Sequence, residues 1–193
     1  MAMSPTAQRI EAAARSLLDK EGADAVTMRR VANAVGITPM AVYRHYADRA
    51  DLLNAMANAG FEELAHRLAD ARSRGDLEKR LRKIFDIFLN HAIENPRLFE
   101  LMFLEIREGA RRYPHDFKAG RSPTAGVTAE LIQEGMESGY FRKDNAWEIT
   151  LEMGALLQGL IMLYLGGRMS MSMARFRALC HRALWRYING IRK

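Results

Sequence analysis

The strongest constraint on the fold lies in residues 27–46, which read TMRRVANAVGITPMAVYRHY. Thr27 and Thr38 are good helix N-caps, because a threonine hydroxyl can accept a hydrogen bond from a free backbone N–H. Gly36 supplies the backbone freedom that a tight turn requires, and Pro39 suits the first position of a second helix. The stretch therefore predicts two short helices joined by a tight turn.

The apolar residues of this stretch define an inner side. Val31 and Val35 stand four residues apart and share one helix face, and Ile37 fills the turn. Val42 of the second helix points back to the same core. Tyr46 fits either of two roles, core packing or hydrogen bonding to a phosphate, with about equal weight. The pattern is typical of a helix-turn-helix, which places the start of its second helix against base edges in DNA.

The outer side of the second helix carries side chains suited to DNA. Met40 and Ala41 are compact enough for close approach and can contact thymine methyl groups. Arg44 can reach a guanine edge or a phosphate, whereas Tyr43 and His45 offer donors to phosphates, which position a protein without reading sequence. From residue 27 to residue 49 there are four arginines and one aspartate. This local excess of positive charge favours a polyanionic partner.

From Gln8 to Leu53 the chain resembles the N-terminal domain of the TetR/AcrR family of transcriptional regulators. The residues that carry the resemblance are Thr27, Arg29, Val31, Ala32, Val35, Gly36, Ile37, Val42, Tyr43, His45, Tyr46, Arg49, Leu52 and Leu53. It implies phosphate contacts at Thr27, Tyr43, His45 and Arg49, and base contacts at Arg29, Pro39, Met40, Ala41 and Arg44. With Arg30 and Thr38 from the reading of the residues, the predicted DNA-binding set is Thr27, Arg29, Arg30, Thr38, Pro39, Met40, Ala41, Tyr43, Arg44, His45 and Arg49.

The predicted fold class is all-α, with an N-terminal three-helix helix-turn-helix domain and a larger C-terminal helical domain that includes a dimerising helix pair. We place the DNA-binding domain in residues 1–50 and the ligand-binding and dimerisation domain in residues 51–193. A chain of 193 residues with net charge +6 is long enough for both. A helix from Asp48 to about Gly75 is expected to link them.

Other helix boundaries follow from local signals. Asn95-Pro96 predicts a cap and start for a helix that carries Leu98, Leu101, Met102 and Ile106 on its apolar face. Residues 108–121 are expected to be irregular. Asp144 or Asn145 is expected to cap the next helix, and Asn145 with Glu148 has capping-box spacing. The last helix is predicted to present Phe176, Leu179, Ala183, Tyr187 and Ile191 on one side.

Two features of the C-terminal half favour a homodimer. A helix from about residue 145 to 166 is apolar nearly all round, which indicates burial on two sides. Gly154, Ala155 and Gly159 would let another helix come close, and the last helix supplies a second apolar stripe. The family resemblance implies that the last two long helices of two subunits form a four-helix bundle. A tightly packed monomer is the alternative.

A ligand site is expected between the C-terminal helices, because such sites are mostly apolar with a few polar groups. The candidate ligand-binding residues are Phe88, Met102, Phe103, Ile106, Met136, Trp147, Met153 and Gln158. The chain is therefore predicted to be a DNA-binding transcriptional regulator, a repressor that binds palindromic operator DNA as a homodimer and is released by a small, largely apolar ligand. The alternative is a helical regulator that acts as an activator or without a small-molecule ligand.

Other classes of protein fit the sequence less well. The motifs of metalloproteases, serine hydrolases and phosphate-binding loops are missing, so the chain is not expected to be an enzyme or to need a cofactor or metal. The single cysteine, Cys180, suits a core or interface position. The apolar run from Met153 to Leu165 is shorter than a bilayer span and is interpreted as a buried helix. We therefore expect a cytoplasmic protein with no membrane partner.

Overall fold

A computed structural model describes residues 4–72 and 75–193. The secondary structure of the described residues is helical, apart from one isolated bridge between Phe141 and Arg192. The helices are α1 (Pro5–Glu21), α2 (Met28–Val35), α3 (Pro39–Tyr43), α4 (Arg49–Arg72), α5 (Leu77–Glu94), α6 (Pro96–Phe103), α7 (His115–Lys118), α8 (Pro123–Glu137), α9 (Ala146–Leu165) and α10 (Met173–Ile191), with a short 3₁₀ turn at Ala23–Ala25. The predicted all-α fold is confirmed.

The chain divides into two compact units. The N-terminal unit comprises Met1–Phe61 and Asn95–Ala110, and the C-terminal unit comprises Glu62–Glu94 and Arg111–Lys193. Helix α4 contributes residues to both units, whereas α6 lies wholly in the N-terminal unit. This division differs from a boundary after residue 50, and the assignment of separate functions to the two parts stays a prediction.

The N-terminal unit is built around α1, α2, α4 and α6. Ile10, Ala14 and Leu18 lie one helical turn apart on α1 and are fully buried. Gly60 lies in α4 where α6 comes close: a Cβ at this position would be 2.7 Å from Sδ of Met102. The ring of Phe61 packs edge-on against Phe103, with centroids 5.1 Å apart. Helix α6 therefore belongs to the core of this unit.

Helix α6 ends earlier than the sequence predicts, so the placement of Ile106 on its apolar face is wrong. The helix stops at Phe103, and Ile106 is fully exposed in the loop that follows. The guanidinium of Arg107 explains the end: its Nε donates to the carbonyl oxygen of Leu101 at 3.0 Å and its Nη1 to Oδ1 of Asn54 at 2.7 Å. A side chain that satisfies the last carbonyls of a helix takes the place of a further turn.

Two other local expectations differ from the structure. Asn95 does not cap α6 with its side chain; its Oδ1 instead accepts from Nη2 of Arg15 at 2.5 Å. Within the predicted irregular stretch of residues 108–121, α7 forms a single turn of helix. Helix α4 is described from Arg49 to Arg72, and its predicted end at about Gly75 follows residues 73–74, which lie outside the described part.

The C-terminal unit is held by contacts among α5, α8, α9 and α10. The guanidinium of Arg80 on α5 pairs with both carboxylate oxygens of Glu134 on α8. Gly135 on the same helix lies beneath the ring of Phe141, which is almost fully buried. The rings of Tyr164 and Phe176 stack with centroids 4.0 Å apart and join the facing ends of α9 and α10.

Helices α9 and α10 each bury one stripe in this unit. On α10 the buried residues are Phe176, Cys180, Leu184 and Ile188. The predicted stripe is therefore shifted by one position along most of the helix. Its other predicted members are half-buried: Leu179, Ala183, Tyr187 and Ile191. Burial raises the pKa of the Cys180 thiol to about 11, as expected for a core cysteine. At the start of α9 the Asn145 side chain accepts from the N–H groups of Trp147 and Glu148, which confirms the predicted cap.

Candidate DNA-binding surface and the dimerisation helices

Helices α2 and α3 form the predicted helix-turn-helix. The hydroxyl of Thr27 accepts from the N–H of Arg30 at 3.3 Å and starts α2. Gly36 ends that helix with φ = 75°, a left-handed conformation that glycine adopts without steric cost. The hydroxyl of Thr38 then accepts from the N–H of Ala41 at 3.3 Å, and Pro39 occupies the first turn of α3. The local signals in the sequence therefore set both helix starts.

The inner side of the motif is a closed core. Val31 and Val42 are fully buried, and Val35 is nearly so. Tyr46 is also buried, and its hydroxyl donates to Oε1 of Glu11 at 2.7 Å. Burial raises the pKa of Tyr46 above its usual range, and the hydrogen bond to Glu11 raises it further by a smaller amount. Of the two roles open to Tyr46 from the sequence, the geometry is that of core packing.

The outer side of α3 is open to solvent. Met40 is 67% exposed and Tyr43 48%, although large apolar and aromatic side chains are commonly buried. Pro39, Arg44 and His45 are exposed as well, whereas Ala41 is half-buried. Five of the six side chains predicted to line this helix thus lie on the accessible surface, where a groove of DNA can reach them.

The four arginines between residues 27 and 49 fall into two groups. Arg30 forms a two-point ion pair with Glu21, at 2.5 and 3.0 Å, and the hydrogen bond to Arg30 holds the pKa of that carboxyl below its usual value. Arg49 donates to the carbonyl oxygens of Val26 at 2.8 Å and Ala23 at 2.7 Å. Any phosphate contact by Arg30 or Arg49 must add to these bonds or replace them.

Arg29 and Arg44 form the second group of arginines. Both are exposed, and neither forms an ion pair within the described part of the chain. Their guanidinium groups keep donors directed at solvent, and a planar guanidinium can bind a guanine edge at two points. These two arginines are therefore the stronger candidates for reading bases.

One supporting residue was not predicted from the sequence. Nη2 of Arg9 on α1 donates to the carbonyl oxygen of Val35 at 2.6 Å, so a side chain 26 positions away satisfies the last turn of α2. The bond fixes the end of α2 immediately before the turn at Gly36. An arginine in the first helix carries no local signal for such a role, because its partner is chosen by the tertiary fold.

The predicted ligand residues are divided between the two units. Met102, Phe103 and Ile106 belong to the N-terminal unit, where Met102 and Phe103 pack in the core described above. A cavity of about 160 Å³ in that unit is lined by Ile106 together with Arg49, Asn54 and Arg107. The C-terminal unit holds Phe88, Met136, Trp147, Met153 and Gln158, of which Met136 and Met153 are buried. A ligand role for these residues stays a prediction.

Helix α9 has one buried face and one open face. Ile149, Thr150, Met153, Leu157 and Ile161 are buried, whereas Leu151, Met162, Leu163 and Leu165 are between 37% and 48% exposed. By length and composition this 20-residue helix could also cross a membrane, with a mean hydropathy of 1.3. One such helix is weak evidence for a membrane span, because core helices of soluble proteins have the same composition. The open apolar face is one that a second protein surface can cover.

Two family profiles match most of the chain. Residues 10–56 match the profile described as bacterial regulatory proteins, tetR family, and residues 81–187 match the tetracyclin repressor-like C-terminal domain. The uncharacterised HTH-type transcriptional regulator YobS of Bacillus subtilis is 24% identical over 165 residues, which cover 83% of this chain and 82% of the relative.

Solved structures share the fold over nearly the whole chain. A protein of unknown function from Rhodococcus sp. RHA1 superposes with a TM-score of 0.82 at 23% identity, covering 99% of this chain and 97% of the other. The transcriptional regulator FadR from Bacillus subtilis, solved in complex with stearoyl-CoA, gives a TM-score of 0.75 at 13% identity, with coverage of 96% and 99%.

Proposed function

Because the chain belongs to the tetR family of bacterial regulatory proteins, and is thus a DNA-binding transcriptional regulator rather than an enzyme, we propose that it is a homodimeric repressor of palindromic operator DNA. We further propose that a small, largely apolar ligand releases it. The observation that carries this proposal is the exposed outer face of α3, where Met40 and Tyr43 stand in solvent above a fully packed motif. A DNA-binding protein of this kind works in the bacterial cytoplasm.

The proposed DNA contacts divide by chemistry. Arg29 and Arg44 read base edges, and Pro39, Met40 and Ala41 let α3 approach the groove closely and contact thymine methyl groups. Thr27, Tyr43 and His45 bind phosphates and fix the register of the motif on the duplex. Thr38 completes the surface, together with Arg30 and Arg49, whose guanidinium donors are already bonded within the domain and are therefore secondary contributors.

The homodimer is supported by the open apolar face of α9. Two-fold symmetry would place one helix-turn-helix in each of two successive major grooves, which a single motif cannot occupy. The family resemblance implies a bundle made of the last two long helices of each subunit, so α9 and α10 are the proposed interface. The four-helix bundle predicted from the family resemblance would cover the exposed leucines and Met162.

The proposed ligand binds among the helices of the C-terminal unit. The large apolar side chains of α5, α8 and α9, including the half-buried Phe88 and Trp147, suit an apolar ligand. FadR from Bacillus subtilis, which shares the fold, binds stearoyl-CoA. Helix α4 contributes residues to both units. A ligand that binds better to one position of α4 would therefore change the distance between the two helix-turn-helix motifs of the dimer.

Selection of bound sites from random DNA tests the proposal. We expect an inverted repeat whose half-site centres lie about one helical turn of DNA apart or a multiple of it. Light scattering at micromolar concentration should give twice the mass of one chain. A single unrepeated site together with a monomeric mass would overturn the homodimer. Transcription that rises when the operator is occupied would favour an activator, and an operator complex unaffected by apolar metabolites would favour a regulator without a ligand.

Tyr43 and His45 provide a test of the phosphate contacts. Tyr43→Phe and His45→Ala should each weaken binding to all sequences by a similar factor, since phosphates carry no sequence information. The preferred site should stay the same when the selection is repeated with each variant. Fluorescence anisotropy on the selected operator and on a scrambled duplex measures both effects. A change in the preferred bases would contradict the positioning role.

A further inference from the structure

The charges of the last two long helices are fully segregated. Helix α9, from Ala146 to Leu165, carries two glutamates and no lysine or arginine. Helix α10, from Met173 to Ile191, carries four arginines and no aspartate or glutamate. Two neighbouring helices of opposite charge form a surface whose halves are complementary to each other and therefore, after a two-fold rotation, to a second copy of the same surface.

The segregated charges are accessible and evenly spaced. Glu148 and Glu152, here called the acidic pair, are exposed on α9, and Arg182 and Arg186, the arginine pair, are exposed on α10. The two members of each pair are four positions apart in the sequence, which places them one turn apart on the same helix face. The spacing along the helix axis is about 6 Å in both pairs, so both ion pairs can form at once between two helices that lie side by side.

The same face of α9 allows close approach of another helix. Following the acidic pair, residues 155, 159 and 162 continue the face at steps of three and four residues. Met162 is 48% exposed, and a Cβ at Gly159 would meet nothing within 4 Å. Apolar exposure next to an open glycine is suited to a packed helix, whereas charge alone would favour a solvated surface.

Within the described residues, neither the acidic pair nor the arginine pair forms an ion pair with a side chain of opposite charge. Glu152 accepts a hydrogen bond from the Tyr187 hydroxyl, and Glu148 accepts one from Nδ2 of Asn145 at 2.8 Å, both neutral donors. For the arginine pair, the described residues provide no carboxylate within ion-pairing distance. The acidic pair and the arginine pair are therefore available to a partner.

We propose that, in the homodimer, α9 of each copy lies against α10 of the second copy, with the acidic pair of one facing the arginine pair of the other. This inference rests on the homodimer proposed above and goes beyond it by naming the charge pairing that selects the partner. The alternatives, α9 against α9 and α10 against α10, bring like charges together and are disfavoured. The pairing also rejects related chains that lack the pattern, since like charges brought together at an interface repel each other.

Two charge-reversed variants test the pairing. The first carries Arg182→Glu with Arg186→Glu, which makes both exposed pairs acidic. The second carries Glu148→Lys with Glu152→Lys, which makes both pairs basic. Each variant alone should repel its own copy at the two symmetric contacts, and the dimer dissociation constant should rise on the order of 100-fold or more.

Mixing the two variants is the decisive step. In an equimolar mixture every acidic pair meets a basic pair, so a heterodimer should form at a concentration where each variant alone is monomeric. Analytical ultracentrifugation at about 0.1 M salt measures the masses, because surface charges still act across contact distances at this ionic strength. The mixture should also regain binding to the palindromic operator.

Each other outcome has a definite meaning. If both variants stay dimeric like the unsubstituted protein, the charge pairing is wrong and the homodimer stands. If both are monomeric and their mixture is monomeric too, the charges matter but do not face each other, and the pairing is again wrong. If the unsubstituted protein is itself a monomer at micromolar concentration, both the homodimer and the pairing fail.

Matched controls separate charge pairing from damage to the fold. Lys83→Glu with Lys143→Glu changes the net charge by as much as the first variant, at exposed positions of the same unit outside α9 and α10, and should leave the dimer unchanged. Circular dichroism melting confirms that each variant is folded, which matters most for Glu148 because it takes part in the cap of α9.

Discussion

Replacing Arg44 by alanine should weaken binding to the selected operator by about 1–3 kcal/mol per half-site, and should relax the base preference at the position that Arg44 reads. Arg44 is exposed on the outer end of α3 and forms no ion pair within the described residues, so its guanidinium is available for a two-point contact with guanine. The alanine variant loses that contact and leaves the acceptors of the base unpaired. Anisotropy titrations against operators with each base at that position measure both effects.

Two controls make the result for Arg44 specific. Arg44→Lys keeps the charge but not the planar fork of donors, so it should recover part of the affinity and little of the base preference. Arg30→Ala removes an arginine of the same motif whose guanidinium is held by Glu21, and its effect on base preference should be small. If Arg44→Ala instead weakens all operators equally, Arg44 binds phosphate and the assignment to base reading is wrong.

Gly135→Ala should lower the free energy of unfolding by about 1–3 kcal/mol, the usual range for overpacking a well-filled core. A Cβ at this position would lie 2.5 Å from Cε2 of Phe141 and 2.9 Å from Cδ2 of Leu77. Phe141 is almost fully buried and cannot swing into solvent. Chemical denaturation, followed by circular dichroism, measures the change.

The matched control lies in the same helix. Gly126→Ala places a methyl group where nothing lies within 4 Å, so it should stabilise the protein by about 0.4–1 kcal/mol through the higher helix propensity of alanine. A second variant, Gly135→Ala with Phe141→Leu, should lose less stability than the two single changes added together, because the smaller side chain makes room for the methyl group. A neutral or stabilising effect of Gly135→Ala alone would contradict the close packing of α8 against Phe141.

The sequence predicted local features well because their causes are local. Thr27, Thr38 and Asn145 cap helices whose first N–H groups lie within three residues of them, and Gly36 takes the left-handed conformation that the turn needs. The outer face of α3 followed in the same way from a short helix with one buried residue, Val42. Each of these inferences depends on neighbouring positions alone.

The features that sequence reasoning missed depend on partners far along the chain. Arg29 and Arg30 are adjacent and identical in kind, yet only Arg30 finds a carboxylate in the described structure, because α1 brings Glu21 beside it. Ile106 continued the apolar spacing of α6, but Arg107 reached Asn54 on α4 and ended the helix first. Periodicity cannot anticipate such bonds, since they require the tertiary fold to exist.

The division of the chain into two units has a consequence for how such a regulator can be rearranged. Residues 95–110 return to the N-terminal unit after the chain has already entered the C-terminal one, and they bring the buried side chains of Leu98, Phe99 and Leu101 with them. The N-terminal unit, which holds the helix-turn-helix, therefore cannot be exchanged between two such proteins as one continuous segment with a single junction. A working chimera of two such proteins needs three crossover points, so the two units are expected to be inherited together.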